Sequence, residues 1–420
     1  MFKIKHIKIM GFWGKHILDV AFYNDVNVII GKNGTGKTTF MSILHAVLTV
    51  DVEWLYDFEF EFVEIKLVLD KKIKTIKVKK SIPDDYKFPI VEYYVSRKNF
   101  KLRVIGTDDA VPLHFRRRIV EESEEIRKEL GGLVNITTLS VYRIKKDYEY
   151  DRRERAERRN ISPIDLILQD LLQRLTTYQL ELSDQARQVS SKLQKEVLSS
   201  LLYIEERENK QGIKLDFDKR EEKKKLITAY NQLGVLDSKI RGYIDQHVEK
   251  VSESIEKMKL AIKSPDAEKM VALDFGPLEK IRLTNDVVKM SLKAEEEEKS
   301  IFRQQSSFIK ILHEFILDKK FSFKNGLLKV EKNGDVPIPK LSSGEKQLII
   351  LFAEALLQRE QSFIFVADEP ELSLHISWQR EILPAIRTLN PNAQLIVATH
   401  SPEIAGKYVG KILDMEDVLQ

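Results

Sequence analysis

Apolar and charged residues alternate through the N-terminal segment MFKIKHIKIMGF, the period of two that a half-buried strand requires. Residues 62–69, 73–78 and 91–95 are further strand-like runs, so residues 1 to about 115 predict strands joined by turns. Among them lies the apolar run Val26–Ile30, a buried strand, and after it Phe40, Met41, Ile43, Leu44, Val47 and Leu48 recur at helical spacing. Towards the other end, residues 363–367 are apolar without alternation, the pattern of a central strand covered on both faces. Residues 395–398 form a second such run, and Leu348, Ile349, Leu351, Phe352 and Leu356 mark a helix before them.

The middle of the chain has a different period. Ser162, Pro163 and Asp165 form a helix start, with an N-cap hydroxyl, a proline at the first helical position and an acid at the third. Leu168, Leu171, Leu175, Tyr178, Leu182, Val189 and Leu193 then follow at three-four spacing, a coiled-coil or bundle seam. Further helical stretches span about 218–263 and about 284–318. Helices of about 40 residues reach about 60 Å, which makes a short arm. Residues 321–330 predict a hairpin turning at Asn325-Gly326. The sum is an α/β chain with two lobes, residues 1–140 and 320–420, around a helical insertion at 141–319.

Composition narrows the setting without naming a chemistry. With 420 residues and 43% hydrophobic content, the chain can bury one large core or two smaller ones. No run approaches the roughly 18 consecutive apolar residues of a membrane span, and the N-terminus does not read as a signal peptide. The chain has 0 cysteines, which excludes disulfides and thiolate metal sites and fits a reducing cytoplasm. The net charge of +4 is small beside 32% charged residues, so any nucleic-acid role must rest on a local patch.

One such patch is residues 143–159, with eight basic and five acidic residues. With Tyr142, Tyr148 and Tyr150 interleaved, it could hold a phosphate backbone and stack on bases. The favoured reading of such a mixed-sign run is a solvated helix face. Glu295 to Glu298 reads as another solvated face.

Candidate chemistry begins at residues 28–40, VIIGKNGTGKTTF. Gly31, four spacers, then Gly36, Lys37 and Thr38 satisfy the P-loop pattern, and the preceding strand and following helix are the context it needs. Asn33, Gly34, Thr35, Gly36 and Thr39 supply backbone N–H groups around phosphate oxygens, Lys37 a cation, and Thr38 a hydroxyl for magnesium. The plain alternative is a glycine turn. Asp368 ends the apolar run and is placed to hold magnesium, while Glu369, one residue on, points to the other side and can act as general base. A strand ending in a solvated acidic turn at Pro370 is the bland version. His400 follows the 395–398 run and can reach a γ-phosphate or the attacking water; alone, a histidine there is more often structural. Ser343 and Gly344, in LSSGEKQ at 341–347, start a helix whose free N–H groups form an anion site, or a simple N-cap.

Taken in order, the P-loop, LSSGE, FIFVADEPE, ELSLH and ATHSPE resemble the ABC-type ATPase heads of the RecF, SMC and OLD group, broadly AAA-family ATPases. That resemblance implies a two-lobed ABC-type P-loop head using ATP and Mg2+. It also implies a homodimer or higher homo-oligomer in which two heads sandwich two nucleotides. Ser343 and Gly344 would then touch the γ-phosphate held by the partner's Lys37. A head with a short arm and 20 residues after His400, too few for a fused TOPRIM nuclease, resembles the ATPase subunits of anti-phage systems of the PARIS and Septu kinds. Those work with a separate TOPRIM or HNH nuclease, which makes a phage protein the candidate trigger.

The resemblance has gaps. Such heads carry a glutamine after the early strands of the first lobe, yet the first glutamine here is Gln169. Asp57, Glu59, Glu61 and Glu64 stand in that region instead, so either a carboxylate substitutes or hydrolysis is slow. Arg143, after the run at 139–142, matches weakly the arginine that OLD-type heads place before their insertion, and facing phosphate or capping the lobe are equally good readings. Two alternatives accompany the main reading. One is a RecF-like repair ATPase that binds DNA through Arg152, Arg153, Arg158 and Arg159. The other is a transporter ATPase subunit, which needs a membrane partner and an aromatic stacking residue before the P-loop, Phe12 or Trp13; the insertion argues against it.

Overall fold

The computed structural model describes residues 1–82, 88–106, 112–140, 162–200, 217–263 and 276–419. Arg143 and the basic stretch with Arg152, Arg153, Arg158 and Arg159 lie outside those residues. The chain divides into two compact units, Met1–Thr176 with Gln304–Gln420, and Thr177–Arg303.

In chain order the first unit opens with β1 (Lys3–Phe12), β2 (His16–Ala21), β3 (Val26–Ile30), α1 (Lys37–Thr49) and α2 (Val52–Asp57). It continues through β4 (Phe62–Leu69), β5 (Lys72–Ser81), β6 (Ile90–Val95), β7 (Lys98–Arg103), α3 (Leu113–Gly131) and β8 (Ile136–Ser140). The unit boundaries fall within α4 (Pro163–Ser200) and α7 (Gly276–Phe315), and α5 (Lys219–Gln232) and α6 (Ser238–Lys263) lie between them in sequence. The first unit resumes with β9 (Lys320–Lys324), β10 (Leu327–Glu331), α8 (Ser343–Leu357), β11 (Ile364–Asp368) and α9 (Ile376–Leu389). It ends in β12 (Gln394–Ala398), α10 (Pro402–Ala405), β13 (Ile412–Asp414) and α11 (Met415–Val418).

Two larger sheets share one hydrophobic core in the first unit. The antiparallel sheet runs β2-β1-β4-β5-β6-β7. Its strands alternate as the sequence predicts: Val63, Ile65 and Leu67 of β4 are buried, and Glu64 and Lys66 point the other way. The second sheet, β13-β3-β12-β11-β8, is parallel throughout. Its central strands are covered on both faces, and all five residues of β12 are buried. Helix α1 buries residues on every side, including Phe40, Ile43, Leu44 and Val47, because it packs within that core. Gln394, fully buried, stitches the sheets together: its Oε1 accepts from the Ile4 N–H at 2.8 Å and its Nε2 donates to Ile4 O at 2.7 Å. Every such buried polar group needs a partner, and this one finds it across 390 residues.

Near the end of the first unit, the hairpin β9–β10 turns at Asn325 and Gly326, both with positive φ of 52° and 78°, the conformation an Asn-Gly turn supplies. Of the seam in α4, Leu168, Leu171, Leu175, Tyr178, Leu182 and Leu193 are buried and Val189 is half-buried.

In the second unit the helical stretch read as 218–263 is two helices. Gly234, at φ 71°, lies just past the end of α5, and Asp237 accepts the Ile240 N–H at 2.7 Å to start α6. A small core of Leu226, Ala229, Ile244, Val248 and Val288 holds this unit.

Candidate functional site

The parallel sheet places the candidate residues. In its order β12 lies between β3 and β11, and the register aligns Ala398 with Ile29 on one side and Asp368 on the other. Three carboxyl ends therefore finish at one level, where ligands gather in open α/β sheets. The P-loop follows the first, Asp368 and Glu369 close the second, and His400 follows the third. Residues far apart in sequence meet because parallel strands share a direction.

At the first end, the loop 31–36 turns into α1 with Gly36 at φ 89° as its N-cap and no side chain capping the helix. A side chain at Gly36 is excluded on two grounds: that φ, and the rings of Phe12 and Trp13, which would lie 2.9 Å from its Cβ. Asn33 and Gly34 are exposed at the loop apex, and the Thr35 hydroxyl donates to Lys32 O at 2.9 Å. Lys37 is 5% exposed, and its Nζ donates to Gly31 O at 2.8 Å and Lys32 O at 3.0 Å. Burial holds this ammonium below the ordinary lysine range, while Glu369, Asp368 and Asp414 pull it back up. Thr38 is exposed at the helix start and Thr39 half-buried. With uncapped helix N–H groups, no acid in the first turn and a buried cation, this donor set fits a polyphosphate.

At the second end, Glu369 takes φ 50°, a left-handed conformation that is rare outside glycine and reverses the chain right after β11. Its N–H donates to Ala398 O at 2.8 Å, one bond beyond the strand. Its Oε1 lies 3.7 Å from Nε2 of His400, and both side chains remain about a third open to solvent, at 34% and 38%. Asp368 is half-buried beside them. Among the described residues no group of three His, Cys, Asp or Glu could hold a metal. The donors present, a carboxylate and a threonine hydroxyl, suit a magnesium ion that takes its remaining ligands from phosphate and water.

Ser343 and Gly344 start α8. Ser342 and Glu345 form the complete capping box: the Glu345 N–H donates to Ser342 Oγ at 3.3 Å, and the Ser342 N–H donates to Glu345 Oε2 at 2.9 Å. Lys319 donates to Glu345 Oε1 at 2.6 Å, and Lys346 donates to Asp165 at 2.7 Å, so this helix start is anchored from two directions. Ser343 stays exposed. Gly344 is buried, and a Cβ there would sit 2.6 Å from Ser373 O. Among the described residues no hydrogen bond or ion pair joins Ser343 or Gly344 to the P-loop of the same chain.

The structure places Trp13, named above as a stacking aromatic of the transporter alternative, and adds Glu371. Trp13, at φ 54° in the β1–β2 turn, keeps 38% of its surface exposed beside Gly36. Glu371 accepts hydrogen bonds from Thr399 and His400, a contact between two loops that no spacing in the sequence announces. Of the four carboxylates in the glutamine-free region, Glu64 pairs with Lys66 and Lys77 on the outer sheet face. Glu59 reaches the β1–β2 turn, with Oε2 3.5 Å from a Cβ built on Gly14, and Glu61 packs against Gly11 just before it.

A family model described as AAA ATPase domain matches residues 2–405. The retron Ec83 probable ATPase of Escherichia coli is 33% identical over 87 residues, 18% of this chain and 16% of that protein. The retron Vc95 probable ATPase of Vibrio cholerae serotype O1 biovar El Tor is 32% identical over 172 residues, 36% of this chain and 32% of that protein. The matched chain thus spans under a third of each of these relatives. Among solved structures, the Smc head domain with an extended coiled coil derived from Pyrococcus furiosus aligns at TM-score 0.44 and 14% identity, over 99% of this chain and 93% of that one. The SMC head domain from Thermotoga maritima aligns at TM-score 0.40 and 11% identity, over 96% and 91%.

Proposed function

The chain belongs to the AAA ATPase domain family, and from that premise we propose that it binds ATP with magnesium and hydrolyses it in a site that two copies complete together. The observation that carries this reading is the meeting of Lys37, Asp368, Glu369 and His400 at the carboxyl ends of three adjacent parallel strands. The P-loop N–H groups and Lys37 take the phosphate oxygens. Thr38 and Asp368 hold the magnesium ion, which neutralises charge on the phosphates. Glu369 receives the proton of the attacking water, and His400 reports on the γ-phosphate from beside it. The face of Trp13 stacks on the base.

Ser343 and Gly344 close over the γ-phosphate bound by the second copy. Among the described residues their helix start is uncommitted, since the capping box uses the Glu345 N–H and leaves those of Ser343 and Gly344 as donors. The retron origin of both named relatives supports a place in bacterial defence. There the ATPase acts as sensor and scaffold for a separate nuclease effector of the TOPRIM or HNH type, released by a phage protein trigger. No helix among the described residues is long and apolar enough to cross a membrane.

The test is phosphate release by the purified chain with ATP and magnesium. Turnover that stops on chelation and in E369Q is expected, whereas a chain that fails to bind ATP rejects the proposal.

A further inference from the structure

The N–H of His400 has no ladder to join. Strand β12 ends at Ala398, opposite Asp368, where β11 also ends; the Thr399 N–H still donates to Ile29 O at 3.0 Å, and the N–H of His400 is the first to leave the sheet. A backbone N–H in that position needs an acceptor from elsewhere. It comes from Glu371, three residues past Asp368: Oε1 accepts the His400 N–H at 3.2 Å and also the hydroxyl of the fully buried Thr399. The Ser401 N–H then donates to Thr399 Oγ1 at 2.9 Å, which completes a short network around the histidine.

The turn that carries this carboxylate is itself held by hydrogen bonds. The Leu374 N–H donates to Glu371 O at 2.9 Å, and the Leu372 N–H donates to Glu369 O at 3.1 Å. Gln379 donates to Leu374 O at 3.1 Å while accepting the Ser401 hydroxyl at 2.6 Å. Ser373 O packs under Gly344, leaving no room for a side chain there. The turn 369–374 is thus a hydrogen-bonded bracket with one arm on the loop that carries His400.

We propose that Glu371 is a positioning residue that fixes His400 against Glu369 by holding the backbone of residues 399–400 from the β11 turn. It rests on the hydrolytic reading above for the role of His400, while the bracket itself does not. Glu371 acts through the Thr399 hydroxyl and the His400 N–H. Among the described residues its Oε2 is buried without a partner, and burial pushes the carboxyl above the usual range. Glutamine keeps an oxygen acceptor for the Thr399 hydroxyl and the His400 N–H, so it is the conservative replacement and alanine the disruptive one.

The experiment measures two quantities in the full-length chain. Amide hydrogen exchange over residues 399–405 should speed up by about tenfold or more in E371A and stay near the parent rate in E371Q. Single-turnover ATP cleavage in E371A should fall by up to about a hundredfold, with ATP affinity unchanged. In an H400A background the same E371A change should cost little further, because the residue it places is gone. Unchanged exchange in E371A overturns the proposal whatever the rates are, and so does an equal rate loss with and without His400. The exchange readout needs no hydrolysis, so a failure of the ATPase reading shows separately, as an inactive parent chain. E371L, which keeps bulk without an acceptor, repeats both measurements if E371A does not fold.

Discussion

His400 Nε2 lies 3.7 Å from Glu369 Oε1, although each residue follows a different strand. Adjacent parallel strands with aligned carboxyl ends are sufficient cause, since the P-loop, the acids and the histidine then share one edge. A general base contributes about 10²–10⁴-fold. E369Q is therefore expected to lower the steady-state rate by about a hundredfold or more while ATP affinity stays within a few-fold. Parallel measurements of turnover and of nucleotide binding check this, and equal turnover by E369Q and the parent removes Glu369 as base.

Lys37 is the buried cation of the site. A charge-assisted contact to phosphate is worth about 1.5–3 kcal/mol, so K37A should weaken ATP binding by at least about tenfold, measured by titration calorimetry. Because burial lowers its pKa from 10.5, the ammonium deprotonates at a lower pH than an ordinary lysine. Binding, which needs the charged form, should hold at neutral pH and fall as the solution becomes alkaline, before that ordinary value is reached. In K37R, whose guanidinium does not titrate, that alkaline fall should be absent.

Trp13 offers a stacking surface next to the phosphate loop. Base stacking on an aromatic ring is worth about 1–3 kcal/mol, so W13A should weaken ATP binding by that amount, and W13F by less. Quenching of Trp13 fluorescence on ATP addition is the direct observation. If W13A binds ATP as tightly as the parent, the base lies elsewhere.

Gly344 and Ser343 separate packing from binding. A methyl at Gly344 meets Ser373 O at 2.6 Å, so G344A should lose about 1–3 kcal/mol in denaturant unfolding, the usual cost of overpacking. Ser343 is exposed, and S343R should leave stability within about 0.5 kcal/mol, as exposed substitutions do. Stability loss in S343R comparable to that in G344A contradicts this division.

Much of the site could be read from the chain because its signals are local. The P-loop from Gly31 to Thr38, the apolar run ending in Asp368 and Glu369, and the capping box at Ser342 and Glu345 each lie within a few residues. Periodicity likewise marked the buried seam of α4, and the Asn-Gly dipeptide marked the turn at Asn325-Gly326. Strand order was not legible, because nothing local states that β12 lies between β3 and β11. Three contacts were missed for the same reason: Gly344 on Ser373, Trp13 on Gly36, and Glu371 on His400. Each is a contact between loops set by the sheet, and none has a period or a spacing to reveal it. The break at Gly234 was legible in principle, since a glycine within a helical pattern is a stop signal; the polar helical pattern on either side obscured it.

The central claim is that two copies share each nucleotide site, and mixing two disabled chains tests it most directly. K37A removes the P-loop cation and S343R blocks the LSSGE helix start, so each is expected to be inactive alone. A mixed dimer retains one site with an intact Lys37 from one copy and an intact Ser343 from the other. The account predicts that ATP turnover returns on mixing; a mixture as inactive as its separate components, or S343R chains that turn over ATP unaided, contradicts it.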